Sequence, residues 1–326
     1  MSNALTHPVP AATGNAAEER QGLWLMVACG LLLATIGLFV EEAGQDPLTT
    51  VWFRCAFGLV ALMVWGAATG RLGELRLRGR ALLAALAASL LILLNWALFF
   101  AAISRTSIGV ATVVVHVHPL WLMLLGAWWL REHITRLQIG AVLLALAGLA
   151  LATGLLEGDV SSGTYEESYA IGLLMCLAGA LCYASMGLIV KLAQGISSFA
   201  LAWWQCAVGA VLLAWWPLLH GWPAMGPAWG WLAGLGIIHT GLAYVLLYAG
   251  MARLPTSRVA LLQFVYPAAA VLIDWVVYGH AQSPLQLLGI ALMGAALLTL
   301  RRPTLPVGVR AFDHAARGSQ GLTRKD

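Results

Sequence analysis

The sequence contains very little charge. Asp, Glu, Lys and Arg together account for 10% of its 326 residues, whereas hydrophobic residues account for 61%. A soluble domain carries roughly 25% charged residues, which cover its water-exposed surface. Because so few charges cannot cover a soluble surface, the composition indicates a protein that spans a membrane several times.

Residue patterns that support enzymatic or metal chemistry are also scarce. The sequence has no H-E-x-x-H, G-x-S-x-G or nucleotide-binding motif, so hydrolysis, group transfer and ATP-driven pumping lack their chemical groups. The cysteines lie inside apolar runs without the paired spacing of a zinc site or a disulfide framework. We therefore expect no cofactor and no metal. The five cysteines are Cys29, Cys55, Cys176, Cys182 and Cys206.

Long apolar runs dominate the sequence. Each is close to the roughly 20 residues that cross a hydrocarbon core, and backbone groups in lipid must be hydrogen-bonded within their own segment. We therefore predict an all-α membrane protein with ten transmembrane helices. The polar start is unlike a cleaved signal peptide, so we expect the first helix to remain in the mature chain. The predicted spans are 22–40, 48–67, 81–102, 107–130, 137–155, 169–193, 197–219, 228–250, 256–279 and 284–300.

Basic and acidic residues separate onto opposite sides of this topology. Arg71, Arg78, Arg131 and the basic C-terminal tail fall on one side, whereas Glu42 and the acidic linker 156–168 fall on the other. By the positive-inside rule we expect both termini in the cytoplasm, and we assign the protein to a bacterial inner (cell) membrane. The formal net charge of +4 then reflects topology, and we expect no nucleic-acid partner.

The two halves of the sequence resemble each other. The run from Gly22 aligns without a gap on the run from Gly172, and "WFRCAFGLVAL" from Trp52 falls on "WWQCAVGAVLL" from Trp203. Three further matches follow in the same order: Thr106-Ser107 with Thr256-Ser257, Pro119 with Pro267, and Leu137-Gln138 with Leu285-Gln286. Collinear matches of this kind indicate a duplication.

Each repeat contains five predicted helices, which is an odd number, so the second copy must be inverted in the membrane. Inverted repeats are typical of carriers, because two such units can exchange conformations around a site near the midplane. The predicted parts of the chain are a cytoplasmic tail at 1–21, repeats at 22–155 and 169–301, an extracytoplasmic linker at 156–168, and a second cytoplasmic tail at 302–326.

The 5+5 duplication, the short loops, Arg54 in the second helix and the "P...REHITRLQIG" pattern from Pro119 to Gly140 resemble EamA-type members of the drug/metabolite transporter superfamily. The aromatic content is most similar to that of the bacterial aromatic amino-acid exporters. The sequence departs from the family at one point. An acidic residue often follows the fourth and ninth helices, but here Glu132 follows the fourth and Gly279-His280 follows the ninth.

Two histidines stand at mid-membrane depth in the fourth predicted helix. Side chains two residues apart on a helix point about 200° apart, so His116 and His118 could hold one metal ion only if the helix were broken. We interpret His116 as a structural contact to a neighbouring helix. His118 aligns with Tyr266, and we interpret it as a ring that faces the substrate. The aligned Pro119 and Pro267 predict a matched helix bend at the repeat interface.

Further polar and aromatic residues predict a cavity around His118 and Tyr266. On the ninth helix Gln263, Tyr266 and Asp274 share one face, which should look at water or at another helix. Such a cavity suits a flat organic solute held by stacking and a few hydrogen bonds. Taken one at a time, each aromatic residue is better interpreted as packing against a neighbour, whereas the group at similar depth favours a cavity. The other predicted members are Asn95, Trp96, Phe99, Trp121, Gln205, His239, Tyr244 and Tyr248.

Arg54 and Asp274 are the full charges that the topology puts inside the membrane. An ion pair between them would lower the cost of burying each one, and could act as an outer gate or as a structural tie. Arg54 could also extend its guanidinium to the outer interface. The structural tie is the interpretation that we favour from the sequence.

These features predict a secondary carrier that exports small metabolites, with amino acids (aromatic or other neutral) and related compounds as the expected class. Its partners would be the solute and the lipid bilayer, with a monomer as the working unit. The alternatives are an intramembrane enzyme that uses the fourth-helix histidines, and a channel. No repeated filter segment supports the channel. Proton coupling and facilitated transport both stay open at this point.

Overall fold

The computed structural model describes residues 13–106, 108–153, 166–193, 195–279 and 282–301, and these ranges contain helices and no strand. The predicted linker lies outside the described residues from 156 to 165, which include Glu157 and Asp159, whereas residues 166–168 begin a helix. His280 and the C-terminal tail also lie outside the described residues. The α-helices are α1 Thr13–Ala34, α2 Ile36–Ala43, α3 Pro47–Ala68, α4 Gly79–Ile103, α5 Ile108–Val115, α6 His118–Trp129, α7 Arg136–Ala152, α8 Glu166–Leu192, α9 Ser198–Leu212, α10 Trp215–His220, α11 Ala228–Gly234, α12 Ala243–Arg253, α13 Thr256–Leu262, α14 Val265–Tyr278 and α15 Pro284–Leu298.

Eight helical stretches in the described ranges are long and apolar enough to cross a membrane. Several of these stretches contain two consecutive helices, such as α5 with α6 and α13 with α14, and a π-helix at Leu235–Leu242 joins α11 to α12. Two further apolar helices, α7 and α15, have 17 and 15 residues and fall below that length. The prediction of an all-helical, multi-pass membrane protein is confirmed in the described ranges, with eight candidate spans by length and composition. The count of ten stays a prediction.

Matched caps begin the last helix of each repeat. The Thr135 hydroxyl accepts from the backbone N–H of Gln138, whose side chain accepts from the Thr135 backbone N–H in return. Ser283 and Gln286 form the same reciprocal pair at the start of α15. This capping box satisfies two backbone donors that a helix start would otherwise leave unpaired. The Gln138–Gln286 match between the repeats therefore has a local structural cause.

The fourth and ninth segments are each interrupted at equivalent positions. The helix breaks at His116 and Val117 before Pro119, and again at Gln263 and Phe264 before Pro267. Proline has no N–H, so it cannot donate to the carbonyl four residues earlier, and the preceding turn opens. Each predicted bend therefore coincides with a break one turn before its proline.

The contacts between helices follow the internal repeat. When two segments pack together, their counterparts five segments away in the sequence also pack together. The third segment (α4) packs on the sixth (α8), and correspondingly the eighth (α12) packs on the first (α1). In the same way α14 packs on α1, and α6 packs on α8. The two halves therefore interlock, and the space between them lies at the centre of the protein.

Helices α7 and α15 approach each other very closely through glycines. A Cβ atom added to Gly289 would lie 2.4 Å from the Gly148 carbonyl oxygen and 2.5 Å from the Ala152 backbone nitrogen. Small residues of this kind allow membrane helices to touch backbone to backbone, which increases their packing contacts. The pair of shorter helices thus forms one tightly joined unit at the side of the fold.

We predict that Gly289→Ala lowers the Tm of the purified protein in detergent. The added methyl group would overlap backbone atoms, and overpacking of this kind costs about 1–3 kcal/mol. The matched control is Gly294→Ala on the same helix, where a Cβ meets no atom within 4 Å. This control should keep or raise the Tm, because alanine favours helix more than glycine does. Equal effects of the two substitutions would contradict the close α7–α15 contact.

Candidate functional site

A cavity of about 310 Å³ lies between the two halves of the protein. Its lining runs from deep residues such as His118 and Gln263 to the exposed residues Val40 and Pro47. The cavity therefore opens at the end of the fold that carries residues 44–46, which we name the mouth. The lining residues are Met26, Cys29, Gly30, Leu33, Ile36, Val40, Gln45, Pro47, Thr50, Arg54, Asn95, Trp96, Phe99, Phe100, Val115, His116, His118, Tyr183, Tyr244, Leu247, Leu262, Gln263 and Tyr266.

The helix break before Pro119 determines how His118 is held. Proline cannot donate to the carbonyl of Val115, and His118 Nδ1 lies 3.0 Å from that oxygen. A carbonyl oxygen only accepts, so Nδ1 must carry the hydrogen, and in the neutral ring Nε2 is then an acceptor. This Nε2 atom is buried and has no hydrogen-bond partner. The His118 ring therefore lines the cavity, while its Nε2 atom is an enclosed acceptor without a partner.

His116 lies in the cavity beside His118, contrary to the sequence prediction that the two rings diverge. That prediction assumed a continuous helix, whereas the break at residues 116 and 117 turns both rings to one side, with centroids 5.5 Å apart. His116 donates from Nδ1 to the Thr112 carbonyl oxygen, 2.6 Å away in its own helix, and stacks on Tyr266. The Nδ1 hydrogen bond of His116 thus stays within its own helix, while its ring contacts Tyr266 on α14. In the described residues no group of three metal-ligating side chains occurs.

Arg54 forms part of the cavity wall and is held by the π-helix. Its Nε donates to the Thr240 hydroxyl at 3.1 Å, and Thr240 in turn donates to the carbonyl of Leu235 at 2.9 Å, five residues earlier. The Arg54 guanidinium also lies 5.0 Å over the Trp96 ring, a cation–π contact. A Cβ on Gly236 would lie 3.0 Å from the Arg54 carbonyl, so glycine is needed for this close approach.

The ion pair predicted between Arg54 and Asp274 is not among the ion pairs of the described residues. Asp274 is half-buried on α14 and lies outside the cavity lining, and its side chain has other contacts. The packing of α3 against the π-helix turns Arg54 toward Thr240 and Trp96 instead. Helix registers in three dimensions, which the sequence does not give, decide this pairing.

Four other predicted members lie outside the described cavity lining. His239 is 2.8 Å from the Thr35 hydroxyl, so it ties the π-helix to the first segment. Tyr248 donates to the Gln205 side chain, which ties α12 to α9. Trp121 packs against the main hydrophobic core. Each of these residues satisfies a contact between helices, which is the packing role that the sequence left open.

The first and sixth segments also line the cavity, which was not predicted from the sequence. Tyr183 on α8 lies 4.3 Å from the His118 ring, centroid to centroid, and Leu33 lines the opposite half of the cavity. The gap-free alignment of Gly22 on Gly172 makes Leu33 and Tyr183 equivalent positions. That equivalence is the signal in the sequence that could have identified both residues. A single leucine and a single tyrosine inside apolar runs do not by themselves indicate a binding site.

A cluster of hydrogen-bonded polar groups lies beyond the deep end of the cavity, which we call the floor. The Glu132 carboxylate accepts from the Thr256 backbone N–H at 2.7 Å and from its hydroxyl at 2.6 Å. Lys191 Nζ lies 3.7 Å from Glu132 and donates to the carbonyl of Leu254. We name these four residues the latch. Because α6, α8 and α13 carry it roughly 10–18 Å past the floor, the latch lies opposite the mouth.

Two carboxylates outside the spans have lowered pKa values. Burial raises the pKa of Asp46 at the mouth, but hydrogen bonds from Thr49 and Leu48 outweigh this effect and hold it below its ordinary value. Asp46 thereby caps α3, the helix that carries Arg54. At the opposite end the hydrogen bond from Arg71 lowers the pKa of Glu74. Both carboxylates are therefore charged at neutral pH.

The sequence is similar to those of uncharacterized transporters, and the fold is similar to that of a solved structure. The chain is 28% identical to an uncharacterized transporter, YxxF, of Bacillus subtilis (strain 168), over 85% of this chain and 89% of that one. It is 25% identical to an uncharacterized transporter of Archaeoglobus fulgidus, over 86% and 96%. One solved crystal structure superposes with a TM-score of 0.76 at 20% identity, covering 86% of this chain and 95% of that one.

The sequence pattern of the EamA-like transporter family matches twice, at residues 20–154 and 170–302. These two matches coincide with the two halves that the internal alignment defined. Together they cover most of the chain, including every helix that lines the cavity. The chain is therefore a multi-pass membrane protein that belongs to the EamA-like transporter family.

Proposed function

We propose that this protein is a secondary carrier that exports small amphipathic metabolites by alternating access. The observation that carries the proposal is a cavity that opens at the mouth, ends at mid-membrane depth and is closed beyond its floor by the latch. A pore would need a path through both ends. A cavity with one open end suits a carrier that admits its solute from one side at a time.

The cavity walls favour neutral amino acids, aromatic ones included, and related compounds. Trp96, Tyr244 and Tyr266 offer ring faces, and Trp96 and Tyr244 meet edge to face with centroids 6.0 Å apart. Polar groups such as Arg54 and Asn95 stand among these rings, as in sites that hold one end of a flat solute while its apolar part stacks. A volume near 310 Å³ suits one small solute.

We further propose that ten helices cross the membrane, as two inverted repeats. Helices α7 and α15 rise about 25 Å and 22 Å at 1.5 Å per residue, which is short but close to the hydrocarbon thickness. Their glycine-mediated contact supports a common path through the bilayer. Five crossings in each repeat would invert the second repeat and leave both termini in the cytoplasm.

In this topology the mouth faces outward and the latch faces the cytoplasm. The latch joins residues of both repeats, because Glu132 follows α6 whereas Lys191 and Thr256 belong to the second half. Opening toward the cytoplasm would have to separate these groups. Loss of charge-assisted hydrogen bonds is costly, so the latch stabilises the outward-open state.

The repeat sequence makes this latch one-sided. The position equivalent to Glu132 carries Gly279-His280, without a carboxylate. The outer end therefore cannot form the same carboxylate bond to a helix start. We expect the resting equilibrium to favour the outward-open state for this reason.

One chain encloses the whole cavity, which supports a monomer as the working unit in a bacterial cell membrane. Proton coupling would require a titratable group in the cavity wall, where His116 and His118 are the candidates. A facilitator would need no such group.

Solute counterflow tests the carrier function. Purified protein in vesicles preloaded with unlabelled phenylalanine should accumulate labelled phenylalanine transiently, because a carrier exchanges solute and a channel or an enzyme does not. We predict that His118→Ala lowers this initial rate about tenfold, since it removes a ring that lines the cavity together with the donor to the Val115 carbonyl. His116→Phe keeps the ring stacked on Tyr266 and should be milder.

Rates are compared at equal protein abundance across pH 5.5 to 8. Normal counterflow by His118→Ala together with failure of His116→Phe would show that the roles are reversed. Normal counterflow by both variants would leave both histidines with a structural role only.

Orientation is testable by cysteine labelling in intact cells. We predict that Glu42→Cys reacts with a membrane-impermeant maleimide from outside, and that Arg78→Cys reacts only after the cells are opened. Both positions are exposed, so accessibility follows from the side of the membrane alone. The unsubstituted protein is the background control. The reverse pattern would invert the proposed topology.

Loss of the latch carboxylate should open the cytoplasmic end. Val259 is fully buried one turn from Thr256, so Val259→Cys reports on access from the latch side. We predict that Glu132→Gln raises the labelling rate of Val259→Cys about tenfold, because charged hydrogen bonds contribute about 1.5–3 kcal/mol. The matched control is Glu74→Gln, whose ion pair with Arg71 lies in a loop at the same end. Equal rates in the two backgrounds would exclude a gating role for Glu132.

A further inference from the structure

Arg54 is a buried cation with unused hydrogen-bond donors. Its side chain is part of the cavity wall, and the residue is only 7% exposed. A guanidinium has five N–H donors, of which the Nε–H is used by Thr240. The other four have no hydrogen-bond partner among the described residues, and Arg54 lines the cavity.

No carboxylate compensates this charge within the cavity. Among the described residues of the lining, Arg54 carries the only full charge. None of the ion pairs of the described residues involves Arg54. The neighbouring groups are the Thr240 hydroxyl and the Trp96 ring. An uncompensated cation in a membrane span is costly and marks a functional site.

We propose that Arg54 binds the carboxylate of the transported solute, so that the substrate class is small monocarboxylates with an aromatic or apolar body. The inference rests on the proposed carrier function and adds the chemical group by which the solute is recognised. The free donors form a planar fork that matches the two oxygens of a carboxylate. An incoming carboxylate would therefore supply the missing counter-charge.

The rest of the wall fits the remainder of such a solute. Trp96 lies beneath the guanidinium and continues into Tyr244, so a ring attached to the carboxylate would meet aromatic faces. Deeper in the cavity, the His118 and Tyr266 rings line the space that the rest of the solute would occupy. Organic cations without a carboxylate would meet the positive charge of Arg54 and be disfavoured.

The π-helix explains why Arg54 points into the cavity rather than toward the membrane surface. The wider turn lets Thr240 donate to the Leu235 carbonyl while its oxygen receives the Arg54 Nε–H. With Nε fixed in this way, the terminal nitrogens stay on the cavity side. Thr240 is thus a positioning residue for the guanidinium.

A set of ring-matched compounds tests the carboxylate preference. Ligand-induced shifts in Tm and inhibition of phenylalanine counterflow are measured for phenylalanine, 3-phenylpropionate, phenylalanine amide and 2-phenylethylamine. Wild-type protein should prefer the two carboxylates about tenfold or more, the usual range for a charged hydrogen-bond pair. Arg54→Gln should lose this preference while its affinity for the amide stays the same. Arg54→Lys should keep a reduced preference, because the charge remains but the fork is lost.

Arg105→Gln is the matched control, since it removes an exposed arginine that bonds only to its own helix. It should retain the wild-type preference. An unchanged preference in Arg54→Gln, or equal affinity of the wild type for all four compounds, would overturn the inference. If Arg54→Gln does not fold, the wild-type preference and Arg54→Lys decide. Carboxylate-dependent Tm shifts without any counterflow would instead refute the carrier function while the binding site stands.

Discussion

Polar groups inside a bilayer have no water to bond to, and this constraint shapes every functional feature of the protein. Pro119 leaves the carbonyl of Val115 without its helical donor, and the His118 side chain supplies one. Thr240 donates from its hydroxyl to the Leu235 carbonyl in the π-helix, and it also accepts a hydrogen bond from Arg54. In both cases a defect in a helix is repaired by a side chain, and the repair directs a polar group into the cavity.

The two repeats use the same architecture but differ in chemistry. Capping boxes at Thr135 and Ser283, and helix breaks before Pro119 and Pro267, are shared. The carboxylate of Glu132 has no counterpart at Gly279-His280. In the proposed carrier, shared backbone features would allow both halves to make the same movement, whereas the unshared carboxylate would stabilise one of the two end states. A symmetric fold can favour one open side in this way.

Buried charge in this protein has two distinct uses. Lys191 and Glu132 form a compensated pair with backbone and hydroxyl partners, and they hold two halves together. Arg54 lacks such a partner and faces an open cavity. Compensation distinguishes the two cases, because a paired charge stabilises the fold whereas an unpaired one remains available to a ligand.

The sequence by itself determined the membrane class, the helical segments, the duplication and several cavity residues. Apolar runs of this length indicate membrane-spanning helices, because backbone groups in lipid must be hydrogen-bonded within their own segment. Collinear matches between the halves reveal a duplication without coordinates. Asn95, Trp96, Phe99, Tyr244, Gln263 and Tyr266 were predicted beside His118 and all line the cavity. Depth along a helix, which depends only on residue counting, was sufficient for these.

The tertiary structure decided which way each side chain points. The helix break moved His116 beside His118, the register of α3 against the π-helix paired Arg54 with Thr240 rather than Asp274, and contacts between helices removed His239 and Tyr248 from the cavity. Sequence periodicity gives the relative direction of residues on one regular helix. It cannot give the rotation of that helix against its neighbours, because packing between helices distant in sequence sets that rotation.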